Sequence, residues 1–407
     1  MKKEIKILFI SLIAIIIGIL SYIFIPKAIY SYRIKHAIIK VSLVDDLHIE
    51  FNSKVYVDDL IKSINGELLE NNIIDTSVLG QKTVKFYYIN EENLKIPYSF
   101  DVMIVDKTPP KVLLNNTYSV AVGSKKKLED AIFCGDNYDD NPKCEIIGEY
   151  DLNKVGKYPL IFVATDFSNN QTIKKFTLNV YKPSTTSSGS SSSSNVKKIP
   201  FEDIKKQYKT NNNRIGLDVS KWQGNIDYQK VKDAGVEFVF IKIGGTNGIG
   251  GEFYLDPKFK QNIEGFQKVG MEVGVYFYSY ANSVTSARNE AEWVIKQLKD
   301  NNYKIDLPIA FDWENWSRFN SFNVSFNTLT NSAEEFIKTV SSNGYKGLLY
   351  SSKYYLENIW LPRDYTIWLA HYTSATTYKG DYKIWQMTSS CAIPGIDSNT
   401  VDVDIMY

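Results

Sequence analysis

The stretch that most constrains this chain is LPIAFDWEN, Leu307 to Asn315. An uncharged run, Leu307 to Phe311, leads straight into Asp312, Trp313 and Glu314. A short apolar run of this kind is predicted to be a strand buried on both faces, as in parallel sheets covered by helices. Side chains two apart on a strand share a face. Asp312 and Glu314 are therefore expected to project together from the strand's carboxyl end, with Trp313 turned the other way. Two carboxyls about 6–7 Å apart are the minimum equipment for general acid–base work on an acetal. The plain alternative is an acidic pair that caps a helix or sits in solvent.

The surrounding text repeats the pattern. Strands are predicted at 215–220, 238–243, 272–280, 307–313, 347–351, 366–370, 383–387 and 401–406, with helices at 226–234, 258–269, 284–300 and 329–343. Strands alternating with helices predict a closed, irregular TIM-like (β/α) barrel over residues 214–407, with fewer helices near its end. The working site of such a barrel lies at the strands' carboxyl ends. Asp218, Tyr276, Tyr278, Tyr350, Trp368, Gln386, Asp402 and Asp404 are expected to join Asp312 and Glu314 there. Each Tyr or Trp alone fits a core as well as a ligand. All seven tryptophans lie beyond residue 213, and aromatic faces stack well on sugar rings. Trp293, in a predicted helix, reads as core. The glycine-rich GGTNGIGG, Gly244 to Gly251, lacks the Lys-Ser/Thr of a phosphate loop and is expected to shape the rim.

The stretches GLDVSKWQGNID, FVFIKIGG, DPKFKQN, VGVYFYSYA, IAFDWE, GLLYSS, IWLAHY, IWQMT and VDVDIMY together resemble the glycoside hydrolase family 25 lysozymes. That resemblance spans about Arg214 to Tyr407. It implies cleavage of the β-1,4 bond between N-acetylmuramic acid and N-acetylglucosamine in peptidoglycan, without metal or cofactor. It makes Glu314 the general acid and Asp312 its partner, with Asp218 and Asp402 as supporting acids and Tyr276 and Tyr350 lining the sugar site. Crowding by like charges is expected to keep Glu314 protonated near neutrality. Asp312 is open to three roles: nucleophile, base for water, or orienter of the substrate's 2-acetamido group. Two departures appear, Phe277 where many members carry His and Asp404 where Asn is common; both are expected to bear on substrate fit. The rivals are a non-catalytic peptidoglycan-binding surface protein and a chitinase-like hydrolase.

The 407 residues exceed one ordinary domain. Residues 1–38 carry Lys2, Lys3 and Lys6 ahead of an apolar run, residues 7–25, long enough to cross a lipid bilayer. A retained single-pass anchor with its amino end in the cytoplasm is expected, a signal peptide being the rival. Residues 39–107 and 108–182 read as two small β-sandwich-like modules. VDKTPPKV and ATDFSNN resemble bacterial immunoglobulin-like modules, and 56–65 is predicted as a short helix. Residues 183–213 begin with PSTTSSGSSSSSN, a flexible tether by composition. Cys134 and Cys144 can bridge, while Cys391 stands alone. The net charge of +1 gathers no nucleic acid, and three histidines without HExxH or CxxC give no zinc pattern.

Overall fold

Eight strands of the C-terminal half hydrogen-bond in a closed ring. They are β1 (Arg214–Val219), β2 (Phe238–Thr246), β3 (Glu272–Tyr278), β4 (Ile309–Asp312), β5 (Gly347–Ser352), β6 (Ile367–Ala370), β7 (Ile384–Ile393) and β8 (Ile396–Met406). This is seen in a computed structural model that describes residues 2–125, 127–183 and 198–407. Neighbours from β1 to β7 run parallel, whereas β8 is antiparallel to both β7 and β1. The ring therefore departs from an all-parallel barrel at its end. The reason is local: Pro394 and Gly395 turn β7 directly into β8, with Gly395 at φ 92°. Antiparallel partners accept such a turn, while parallel ones need a crossover.

Helices pack outside the ring. They are α1 (Tyr228–Asp233), α2 (Phe259–Lys268), α3 (Val284–Asp300), α4 (Phe326–Ser342) and the short α5 (Lys353–Asn358). The buried faces of α2, α3 and α4 meet the outward residues of β2, β3 and β4 in one continuous core. A 3-10 segment, Trp316–Phe322, follows β4. The lead-in is more ordered than its polar composition predicts. Ile199–Pro200 pairs with β7, and Phe201–Tyr208 is helical. The segment 184–197, and most of the predicted tether with it, lies outside the described residues.

The chain divides into two compact units, Met1–Lys107 and Thr108–Tyr407. In the first, a helix runs from Lys2 to Lys35 and continues through Pro26. Its Ile15–Lys35 part is long and apolar enough to cross a membrane. A hairpin of Gly80–Asn90 and Lys95–Val105 dominates a four-stranded sheet, its residues alternating buried and exposed. The helix predicted over 56–65 is not formed. Only Asp58–Leu60 make a 3-10 turn, and Ile61–Ile64 pairs as a strand, which suits its β-branched Ile61 and Ile64. In the second unit, residues 108–183 hold a four-stranded sheet built on Gly156–Thr165 and Gln171–Tyr181. A two-stranded sheet, Lys111–Leu113 with Phe133–Gly135, accompanies it. Leu160, Phe162, Phe176 and Leu178 form the core, and Cys134 and Cys144 are joined as a disulfide.

Candidate active site

Strand alternation decides what enters the ring. Phe238 and Phe240 of β2, Ala310 of β4, Leu348 of β5, Trp368 of β6, Ile384 of β7 and Met406 of β8 fill its interior as one cluster. Gly216 and Gly274 make room for the phenyl rings. A Cβ on Gly216 would stand 2.4 Å from the Phe238 ring, and one on Gly274 2.5 Å from that of Phe240. Two residues further along each strand, the same alternation delivers Asp218, Lys242, Tyr276, Asp312, Tyr350 and Gln386 to the carboxyl end. The opposite set, including Phe277, Phe311 and Trp313, packs between ring and helices.

A cavity of about 170 Å³ opens at that end. It is lined by Asp218, Tyr276, Asp312, Glu314, Tyr350, Trp368, Tyr372, Gln386 and Asp402. In the ladder Asp312 lies between Tyr278 and Tyr350, and Asp218 faces Asp402. Of the expected site residues, Tyr278 and Asp404 fall outside this lining. The Tyr278 ring lies under Lys242, whose Nζ is 4.3 Å from its centroid. Asp404 is fully buried beneath Trp368, whose Nε1–H donates to its Oδ1 at 2.8 Å. Phe277 does not bear on substrate fit as expected. It points to the helices and packs on Trp293 and Phe336, because it has the parity of the outward face.

Gln386 organises one wall. Its Oε1 accepts from the hydroxyls of Tyr350 at 2.8 Å and Tyr372 at 2.9 Å, and its Nε2 donates to Asp218 Oδ2 at 2.7 Å. Asp312 is different: it is buried, yet its Oδ1 meets no donor among the described residues. A buried acceptor left so is costly unless a ligand completes it.

The carboxyls are all pushed toward their protonated forms. Burial holds Asp312 well above the usual range, helped by Glu314 and opposed by Lys242. Asp218 is raised by burial, then by Asp402 and Asp404. Asp402 is pushed up to about 7 by burial and by Glu314. Burial likewise raises Asp404, against its bond from Trp368. Glu314 is enclosed by protein atoms on most sides, and this desolvation raises it, while Lys242 and the nearby Tyr350 hydroxyl lower it. Its side chain nonetheless opens to solvent on the cavity side, so it is the one best placed to meet a ligand. Lys242 is itself lowered by burial, with Asp312, Asp256 and Glu314 opposing that shift.

A second network stands behind the strand end. Ser279 N–H donates to Asp312 O at 2.7 Å, Asn315 Nδ2 to Ser279 O at 3.0 Å, and Trp313 Nε1 to Ala281 O at 3.0 Å. Glu290 of α3 ties this turn down. It accepts from Ser279 Oγ at 2.6 Å, Thr246 Oγ1 at 2.9 Å and Tyr280 N at 3.2 Å. Burial pushes its carboxyl up to about 7 against these donors.

Lys242, Tyr372 and Glu290 escape the sequence-based prediction. Lys242 was visible in principle, since it shares the parity of Phe238 and Phe240. Tyr372 lies two residues past β6, where alternation no longer predicts direction. Glu290 sits on a helix face whose partners, Ser279, Tyr280 and Thr246, lie at the ends of two different strands.

Residues 217–396 match the family described as "Glycosyl hydrolases family 25". This segment is a family 25 glycosyl hydrolase domain. The autolytic lysozyme of Clostridium acetobutylicum is 28% identical to the chain over 192 residues, which is 46% of this chain and 54% of that protein. The protein YegX of Escherichia coli K12 is 28% identical over 190 residues, 45% of this chain and 65% of its own length. The chain thus spans between about half and two thirds of these curated relatives. Among solved structures, a family 25 glycosyl hydrolase from Bacillus anthracis is 21% identical with a TM-score of 0.39, over 49% of this chain and 92% of that one. The family 25 domain begins inside β1 and ends at the start of β8, so it embraces Asp218, Asp312 and Glu314 but not Asp402.

Proposed function

We propose that the chain is a peptidoglycan hydrolase of the N-acetylmuramidase type, cutting the β-1,4 bond between N-acetylmuramic acid and N-acetylglucosamine. The observation that carries this is the gathering of Asp218, Asp312, Glu314 and Asp402 around one open cavity walled by Tyr276, Tyr350 and Trp368. We read the ring as an irregular (β/α) barrel whose carboxyl-end rim holds the sugar. Glu314, raised by burial and open to the cavity, donates a proton to the glycosidic oxygen as the bond breaks. Asp312 is its partner. Its unmatched Oδ1 suits the N–H of a 2-acetamido group, which would aim the acetamido oxygen at the anomeric carbon. Lys242 opposes the rise in both carboxyls and faces the charge left on Glu314 when its proton departs, and Gln386 with its two tyrosines fixes the opposite wall.

The N-terminal helix, with its lysines first, fits a single-pass anchor that leaves the modules and the hydrolase outside, facing the wall. Residues 39–107 and 108–182 fit small β-rich modules between anchor and enzyme. Digestion of defined muropeptides with mass spectrometry of the new reducing ends tests the bond assignment. Reducing-end N-acetylmuramic acid is expected; reducing-end N-acetylglucosamine, or chitin cleavage with intact muropeptides, contradicts it. Proton NMR of the first-formed anomer tests Asp312: the acetamido route gives retention of configuration.

A further inference from the structure

Residues 108–183 are joined to the rim itself. The 3-10 segment Trp316–Phe322 starts two residues after Glu314, and its Asn320 is held on both sides of the amide. Asn320 Oδ1 accepts from Cys134 N at 3.0 Å, and its Nδ2 donates to Ile132 O at 2.7 Å and Glu129 O at 3.1 Å. The next element, α4, has first-turn N–H groups that no helix can satisfy internally. Ser325 Oγ accepts from Thr328 N, and the loop closed by Cys134 and Cys144 takes the two before it. Phe326 N donates to Asp136 O at 2.8 Å and Asn327 N to Asn137 O at 3.1 Å. Asp140 Oδ1 accepts from Ser325 N and from Thr328 Oγ1, each at 2.7 Å. A carboxylate at a helix N-terminus is favoured by the helix dipole as well.

Rings continue the connection inward. Phe133 lies 4.8 Å from Phe319, and Phe319 lies 6.1 Å from Trp313, centroid to centroid. Trp313 separates Asp312 from Glu314 in sequence and also packs on Trp316 and Phe322 at 4.7 and 4.8 Å. Gly135 fits because it has no side chain: a Cβ there would be 2.5 Å from the Phe319 ring.

We propose that the disulfide-closed loop Cys134–Cys144 is a positioning device for the catalytic rim, with Asp140 and Asn320 as its positioning residues. It pins both ends of the segment 320–328 and, through Phe319 and Trp313, fixes the direction of the Asp312–Glu314 turn. The inference rests on the assignment of Glu314 as the acid. The module is then a working part of the hydrolase and more than a spacer.

The test uses the full chain, its C134S/C144S double variant and Asp140→Ala. Two readouts are taken on protein shown to be folded by near-ultraviolet circular dichroism. Hydrogen exchange at Ser325, Phe326 and Asn327 is expected to rise at least about tenfold in both variants, since their bond partners are loosened. Turnover of a soluble muropeptide is expected to fall by about tenfold in kcat with KM within about twofold, as a small misplacement of the acid predicts. Unchanged exchange at those three amides overturns the inference whatever the activity. Raised exchange with wild-type kcat also overturns it. Failure of the unaltered chain to cleave any muropeptide instead sinks the assignment of the activity, and the exchange result still decides whether the loop holds the segment.

Discussion

Asp218 of β1 and Asp402 of β8 are direct partners in the antiparallel ladder that closes the ring. The antiparallel closure of the ring thereby brings a second carboxyl to the cavity wall, where a parallel eighth strand would have needed another crossover. Asp402 raises the proton affinity of Asp218, and is itself pushed up to about 7 by burial and by Glu314.

That value sets the sign of a stability effect. A free aspartate titrates near 4 (about 3.9), so between about pH 4 and pH 7 the folded protein holds more protons at Asp402 than the unfolded chain. Stability then falls as pH rises through that window. Asp402→Asn is expected to gain about 1–2 kcal/mol at pH 8, after allowance for cavity water, and almost nothing at pH 4. Denaturant titrations at both pH values check this. An equal effect at the two would contradict it.

Lys242 supplies a positive charge that acts on the acid pair, lowering both Asp312 and Glu314. Lys242→Met keeps the stem and removes the charge. Both carboxyls should then hold their protons to higher pH, and the bell of kcat/KM against pH should move up by about one pH unit or less. A profile superimposable on that of the unaltered enzyme would show that the ammonium does not act on them.

Glu290 is a support for the site, touching no part of the cavity. Glu290→Ala leaves Ser279 Oγ, Thr246 Oγ1 and Tyr280 N without their acceptor, at a cost of about 2–4 kcal/mol. Glu290→Gln retains a carbonyl acceptor and is expected to cost about 1 kcal/mol. Chemical unfolding measures both. The ranking Ala worse than Gln is the decisive part.

The interior plug depends on two glycines. Gly216→Ala drives a methyl to 2.4 Å from the Phe238 ring, which is wedged among buried neighbours. A loss of about 1–3 kcal/mol is expected, read as a lower thermal midpoint. No loss would mean that the ring has space to move.

The sequence was most legible where geometry is periodic. Strand parity placed Asp312 and Glu314 apart from Trp313, and the structure puts Asp312 and Glu314 at the cavity and buries Trp313. The same parity, applied to FVFIKIGG, would have drawn Lys242 inside. It was obscured because one lysine among apolar residues looks like a strand that meets solvent. Phe277 was misjudged for the complementary reason: its place in a family motif outweighed its odd position among inward-facing Tyr276 and Tyr278. The strands expected at 383–387 and 401–406 extend in the structure to Ile384–Ile393 and Ile396–Met406, and Pro394 and Gly395 between them break any alternation that would show it. The docking of Asp140 and Asn320 had no periodic signal at all, since loop-to-loop hydrogen bonds follow from the completed fold.

The most direct measurement is turnover by Glu314→Gln on purified peptidoglycan, with circular dichroism and thermal midpoint recorded on the same sample. The amide keeps size and polarity but has no proton to give to the bridging oxygen. Release of reducing ends is expected to drop by at least about 10²-fold, within the usual range for general acid catalysis, with folding unchanged. A folded variant that retains activity within about tenfold of the unaltered enzyme would contradict the role given to Glu314 and the mechanism built on it.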